Sequence, residues 1–336
     1  MTRNAILLAL TGLVAFGISA LLGKALIPWL HRLKFGQTIL EEGPSWHQKK
    51  QGTPTMGGIM FIAGLVAAFF LSLMAARLLH FSGVFDIPND TARLLAGAAL
   101  ACGCGLIGFG DDYIKVVKKR NLGLTARQKL LLQLLFSAAY AVTLYVYDGG
   151  AFQIPFFGTV HWGLFFIPFC MFVIVAMTNA TNLTDGVDGL CGMTGFVAAL
   201  AFLVLAGICG IFGQCLFAVA LAGALAGFLL WNLHPAQVFM GDTGSLFIGG
   251  ALTALAFGIE QPFLLVPVGI LYIAENMSVI LQVGYFKLTH GKRLFKMSPL
   301  HHHFELCGWS ENRIVTVFSL VTLAGSMAAI LLALWG

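Results

Sequence analysis

Five of the chain's fourteen acidic residues, Asp111, Asp112, Asp185, Asp188 and Asp242, stand at the borders of long apolar runs. A carboxylate close to hydrocarbon costs about 2–3 kcal/mol unless it is paired or hydrated, so these five are the first candidates for chemistry. They belong to a set of polar segments at 49–55, 111–113 with the basic run behind it, 179–188, 232–245 and 298–305. Asp111 and Asp112 follow Gly108-Phe109-Gly110, and Lys115, Lys118 and Lys119 come on the next turns. Neighbouring carboxylates on a helix diverge by about 100°, so they need not share an ion. With lysines beside them they read as a metal–phosphate arrangement or, more plainly, as a solvated helix end. In 179–188, Asn179, Asn182, Asp185 and Asp188 recur every third residue, which spreads amides and carboxylates over one broad face. One Asp would suffice to cap the following helix; a ladder of four exceeds that need. Phe239-Met240-Gly241-Asp242-Thr243-Gly244-Ser245 opens another apolar run. There Asp242 can cap a helix or hold Mg²⁺ against phosphates, and the flanking N–H groups can receive an anion. His301-His302-His303-Phe304-Glu305 invites a zinc reading, but three adjacent histidines lack the i, i+3 or i+4 spacing of convergent ligands. Hydrogen bonds to phosphate or sugar suit them better, and a solvated loop is the plain alternative.

The elements that carry these segments are apolar throughout. Of 336 residues, 59% are hydrophobic and 10% charged, with 29 Phe and 40 Gly, and runs of about twenty apolar residues recur from end to end. An ordinary cytosolic enzyme has about 25% charged residues. The composition excludes that class, as well as a disulfide scaffold and a disordered chain. Continuous apolar runs also exclude an outer-membrane barrel, whose strands alternate. The fold class is therefore all-α, a polytopic membrane protein with about ten helices near 5–29, 57–76, 94–110, 130–147, 163–178, 191–212, 215–233, 246–259, 263–286 and 314–335. The runs at 94–110 and 246–259 are short for a 30 Å core, and Gly213-Gln214 is the weakest divider. Residues 1–336 read as one integral-membrane domain, with 5–29 as an uncleaved first span. Seven cysteines without paired spacing read as small buried hydrophobes.

Fifteen of the nineteen Lys and Arg lie in three alternate loops, 32–55, 111–129 and 287–313. All three loops fall on one face, which the positive-inside rule makes cytoplasmic, with both termini outside. The polar segments share that face. A net charge of +5 concentrated there suits anionic lipid headgroups or an anionic soluble substrate.

Taken together, 110–113, 179–190, 239–245 and 299–305 resemble the phospho-N-acetylmuramoyl-pentapeptide transferase family, in order and over almost the whole chain. The triple His followed by Phe-Glu separates that family from related polyprenyl-phosphate sugar-1-phosphate transferases. The resemblance implies transfer of phospho-MurNAc-pentapeptide from UDP-MurNAc-pentapeptide to undecaprenyl phosphate, giving lipid I and UMP, with Mg²⁺. It implies a homodimer in the bacterial inner membrane whose active site faces the cytoplasm, with no nucleic-acid partner. By motif, Asp111, Asp112 and Asp242 match the family's essential aspartates, with Asp242 the Mg²⁺ ligand, and His301 joins them as catalytic. Lys50, Gly186, Val187, Asp188 and Phe239 match the uridine pocket. Thr55, Asn182, Asp185, Asn232, His302 and His303 match other residues lining the nucleotide-sugar cleft. Lys115, Lys119, Arg127 and Lys129 would hold phosphates. Two other functions stand beside this one: a UDP-GlcNAc-dependent polyprenyl-phosphate transferase, and a membrane transporter, whose carboxylates would sit nearer the midplane.

Overall fold

The apolar runs fold into long helices because a chain in hydrocarbon must satisfy every peptide group within its own segment. The computed structural model describes residues 3–32, 50–81, 84–85, 87–117 and 123–335. Its helices are α1 (Arg3–Arg32), α2 (Gly58–Leu78), α3 (Pro88–Val117), α4 (Ala126–Asp148), α5 (Phe166–Thr184), α6 (Leu190–Ile208), α7 (Phe212–Asn232), α8 (Gly241–Gly258), α9 (Leu265–Val268), α10 (Ile270–Leu288), α11 (Leu300–Glu305) and α12 (Glu311–Trp335). Among the described residues eight helices are long and apolar enough to cross a membrane. A ninth span forms if the turn at Pro262–Leu264, α9 and α10 are counted together across their 78° bend. The protein is an all-α polytopic membrane protein.

α8 differs from these spans. It begins with polar residues, and its side chains from Thr243 to Gly258 are all buried within protein. It packs most closely on α3, where Gly97, Ala101, Cys104 and Gly108 leave room for Ala254, Gly250 and the Asp242 carbonyl. Small residues let two backbones approach where lipid supplies no hydrophobic drive between helices. The same contact places the end of α3 against the start of α8, and the carboxylates of both arrive together.

Two opposite ends result. Turns at 50–57, 185–189, 233–240 and 289–310 gather at one, tied by the Phe239 N–H to the Pro54 carbonyl (2.8 Å) and the Gly57 N–H to the Phe239 carbonyl (2.8 Å). At the other end Arg93 on α3 pairs with Asp148 (2.6 Å), Asp90 (3.2 Å) and Glu260. A two-stranded antiparallel hairpin, β1 (Ala151–Ile154) and β2 (Gly158–His161), lies there, pairing Phe152 with Val160.

Several expectations need adjustment. The run 94–110 is no short span: α3 has 30 residues, because its polar ends stay helical. The break between α6 and α7 falls at 209–211, with Gly213 and Gln214 inside α7. The run 263–286 is a bent pair of helices. The hairpin was hidden by its apolar composition.

Candidate active site

The site begins with α8. Its first N–H groups have no intrahelical partners, and a carboxylate from the neighbouring helix supplies them. Asp112 Oδ2 accepts from Thr243 N–H (2.9 Å) and Thr243 Oγ1 (2.7 Å), and Oδ1 accepts from Asp242 N–H (3.2 Å). Gly241 makes this approach possible: its φ is +69°, and a Cβ there would collide with Asp112 Oδ2. Asp112 is thus a cap delivered from α3, with most of its acceptor capacity already used.

Asp242, one residue into α8, is the hub. Its Oδ1 accepts from Asn182 Nδ2 (2.9 Å), and its Oδ2 receives Lys129 Nζ (2.9 Å) and Lys115 Nζ (3.2 Å). Asn182 also donates to Ser245 Oγ (2.9 Å), and Lys129 donates to Asn182 Oδ1 (3.1 Å). Asp111 Oδ1 accepts from the Leu124 N–H (2.8 Å). Its Oδ2 is buried with no donor aligned on it, although Lys115 Nζ lies 2.6 Å away. Four separated segments are therefore joined: the ends of α3 and α5 and the starts of α4 and α8.

A divalent cation fits this cluster. One carboxylate oxygen from each of Asp111, Asp112 and Asp242 can be chosen so that all lie within 4.8 Å of one another. All the donors are hard oxygens, as Mg²⁺ prefers. The Asp112 oxygens are tied to the fixed donors of the α8 terminus, whereas the lysines on Asp111 and Asp242 can turn away, so these two have the oxygens best placed for a metal. Asp111 would then be a second ligand, beside the Asp242 of the motif assignment. Three carboxylates face two ammonium groups, so the cluster alone carries an excess negative charge and would repel phosphate.

Asp185 caps the C-terminal end of α5 and makes no side-chain hydrogen bond among the described residues. Burial, followed by the negative charges of Asp242, Asp112 and Asp188, pushes its carboxyl up to about 8. Asp185 thus stands between the α8 cluster and a second group around Asp188. There Lys50 Nζ contacts Asp188 Oδ1 (2.7 Å) and Glu311 Oε2 (2.6 Å), and Asp188 Oδ2 meets His234 Nδ1 (3.0 Å) and the Ala236 N–H (3.0 Å).

The other expected residues are distributed unevenly. Thr55 Oγ1 lies beside Gly241 at the α8 cap, and Phe239 is half-buried between that cap and the Lys50 turn. Val187 is buried among Leu190, Leu271, Ile314 and Phe318. Asn232 is also buried, with its amide spent on the Gly189 N–H (3.2 Å) and the Val238 carbonyl (2.9 Å). Arg127 is exposed and makes none of these contacts, and Lys119 lies outside the described residues. His301 is buried against Glu275, and Gly186 packs on its ring. His302 pairs with Glu305 (2.7 Å), while His303 accepts from the Lys296 N–H (3.1 Å). In 179–188 the four polar residues part ways: Asn179 turns to Gln133 on α4 (3.2 Å), Asn182 joins the Asp242 cluster, Asp188 joins Lys50, and Asp185 stands between the two. Glu311 and Glu275 were passed over in the sequence. The first stands at the start of α12, just outside the apolar run 314–335; the second lies inside the run 263–286.

Fold and site together define a polytopic membrane protein with a carboxylate–lysine cluster, fit for a divalent cation, at one end of its helices. Comparison with known proteins agrees: residues 94–259 match the model of glycosyl transferase family 4, and residues 50–62 match signature 1 of phospho-N-acetylmuramoyl-pentapeptide-transferase. Proteins of that name from Clostridium perfringens (strain 13 / Type A) and Halalkalibacterium halodurans are 45% and 46% identical to the chain. The first alignment covers 92% of this chain and 93% of the relative; the second covers 98% of each. A Bacillus mycoides protein of the same name is 46% identical, again over 98% of both chains. The chain belongs to the phospho-N-acetylmuramoyl-pentapeptide transferase family.

Proposed function

We infer that the protein transfers phospho-MurNAc-pentapeptide from UDP-MurNAc-pentapeptide to undecaprenyl phosphate, releasing UMP and making lipid I. The observation that carries this is the cluster at the start of α8, where two lysines and three carboxylates converge from three segments. Phosphoryl transfer asks mainly for positioning and charge neutralisation, and this cluster supplies both. Mg²⁺, held by Asp242 and Asp111, would neutralise phosphate oxygens. Lys115 and Lys129 are placed to turn from the carboxylates to the phosphates once that charge is balanced. Asp112 holds the α8 terminus, and with it Asp242, in place. Lys50, Asp188 and Phe239 form the uridine end. Asp185, His301 and His302 lie toward the sugar and its phosphate.

A lipid phosphate monoester has a second pKa of about 6, so it is mostly dianionic at neutral pH. A base that removed its last proton would lower the barrier by only a few tenths of a kcal/mol. Asp111 therefore acts by orienting metal and lipid phosphate rather than as a general base. The concentration of basic residues in three alternate loops supports a cytoplasmic site and outward termini. The family resemblance supports a homodimer in the bacterial inner membrane, and the chain is read as one membrane domain. The test is UMP release by the purified protein with undecaprenyl phosphate. Release is expected from UDP-MurNAc-pentapeptide with Mg²⁺ and not without it. Release from UDP-GlcNAc at the same rate would overturn the assignment of the sugar.

A further inference from the structure

Glu275 lies in α10, fully buried, in a helix otherwise apolar enough to help form a membrane span. A carboxylate in such a place is costly and is retained where it has a partner and a task. Its partner is His301. Glu275 Oε1 accepts from the His301 backbone N–H (3.2 Å) and faces His301 Nδ1 (3.2 Å), and the imidazole is itself only 1% exposed. A carboxylate facing Nδ1 accepts a hydrogen bond from it, which keeps the proton on Nδ1 and leaves Nε2 as the working atom. His301 Nε2 has no hydrogen-bond partner here. It points at Gly186, where a Cβ would collide with it, in the turn that carries Asp185 and leads to Asp188.

Two turns further along the same face of α10, Gln282 holds the segment that leads into the histidines. Its Oε1 accepts from the Leu294 N–H (3.0 Å) and the Phe295 N–H (2.9 Å), and its Nε2 donates to the Phe295 carbonyl (3.2 Å). Glu275, Ser278 and Gln282, at i, i+3 and i+7, are the buried polar residues of that face. α10 thus grips the histidine segment at two points. Gln282 fixes its backbone, and Glu275 fixes the ring that reaches the cleft.

We propose that Glu275 is a positioning residue of the transferase: it holds the His301 ring by Nδ1 and presents Nε2 at the Asp185–Gly186 turn, where the sugar phosphate of the nucleotide substrate binds. The proposal rests on the placement of His301 in the active site given above. Carboxylates that orient a working imidazole are worth about 10- to 100-fold in activity. Glu275→Gln keeps the shape and removes the charge. It is expected to lower kcat at least tenfold while the KM for UDP-MurNAc-pentapeptide changes less than threefold. In a His301→Gln background the same change is expected to cost less than twofold, because its target is gone. Equal losses in both backgrounds would overturn the proposal in favour of a purely structural role. If His301→Gln is impaired and Glu275→Gln is not, the proposal falls and the placement of His301 stands; if His301→Gln keeps full turnover, both fall. Should Glu275→Gln not fold, ¹⁵N-histidine spectra of the unaltered protein decide the matter, with His301 assigned from the His301→Gln spectrum. A protonated Nδ1 is expected; an unprotonated Nδ1 would refute the dyad.

Discussion

Replacing Asp112 by Asn separates a positioning aspartate from a metal-binding one within a single cluster. Asp112 offers two acceptor oxygens to three donors on α8, at 2.7, 2.9 and 3.2 Å. An asparagine has one acceptor oxygen. If that oxygen serves both Thr243 donors, the amide NH₂ faces the Asp242 N–H, and a buried donor loses its partner. Such a loss costs about 1–3 kcal/mol. Removing a negative charge from a helix N-terminus costs about another 0.3–1 kcal/mol. The repulsion relieved against Asp242 and the attraction lost to Lys115 Nζ, 3.8 Å away, are opposite in sign and offset each other. The expected destabilisation is about 2–3 kcal/mol, read as a thermal transition at least about 3 °C lower in detergent. Asp111 is the internal control. It receives one backbone N–H, which an asparagine carbonyl can accept equally well, and Lys115, 2.6 Å from its other oxygen, keeps Asp242 as a partner, so Asp111→Asn is expected to move the transition less than half as far as Asp112→Asn. A wild-type transition in Asp112→Asn, or equal falls in both variants, would refute the assignment of Asp112 as the cap of α8.

Three further outcomes follow from the same geometry. In Asp111→Asn the lost activity is expected to stay lost at high pH, since the lipid phosphate is already dianionic; recovery to near the wild-type rate above pH 8 would establish a base role. The Asp185 carboxyl is pushed up to about 8, so in metal-free protein its protonated form favours the fold. That contribution is full below about pH 4 and is lost as the pH rises through about 8. Wild-type melting temperature should therefore fall relative to Asp185→Asn between pH 5 and pH 8, and parallel curves would contradict the shift. Lys129→Met removes one of the two ammonium groups on Asp242 and is expected to raise the KM for UDP-MurNAc-pentapeptide about tenfold, roughly 1.4 kcal/mol; an unchanged KM would place the phosphates elsewhere.

The helices were legible in the sequence because hydrocarbon demands long apolar runs, and the polar segments were legible because they interrupt those runs. What hydropathy hid was structure made of the wrong composition for a window. α3 runs on through Asp111 and Asp112, because Lys115 on the next turn and the first N–H groups of α8 compensate those charges, and no one-dimensional window contains the α8 partner. α8 begins at Gly241 rather than near 246, because a cap arrives from α3. Glu275 was overlooked inside an apolar stretch, although its spacing with Ser278 and Gln282 was a readable sign of a buried polar face. The motif residues separated by role only in three dimensions. Asp112 and Asn232 hold backbone, Asp242 gathers the charges, and Arg127 stands apart in solvent.

The central claim, that Asp242 gathers charge around a divalent cation to receive two phosphates, is tested most directly by titrating Mg²⁺ against UMP release in wild type and Asp242→Asn. The account predicts a midpoint at least about tenfold higher in the variant, the loss of one charged ligand being worth at least 1.4 kcal/mol. An unchanged midpoint with only a lower maximum rate would contradict it.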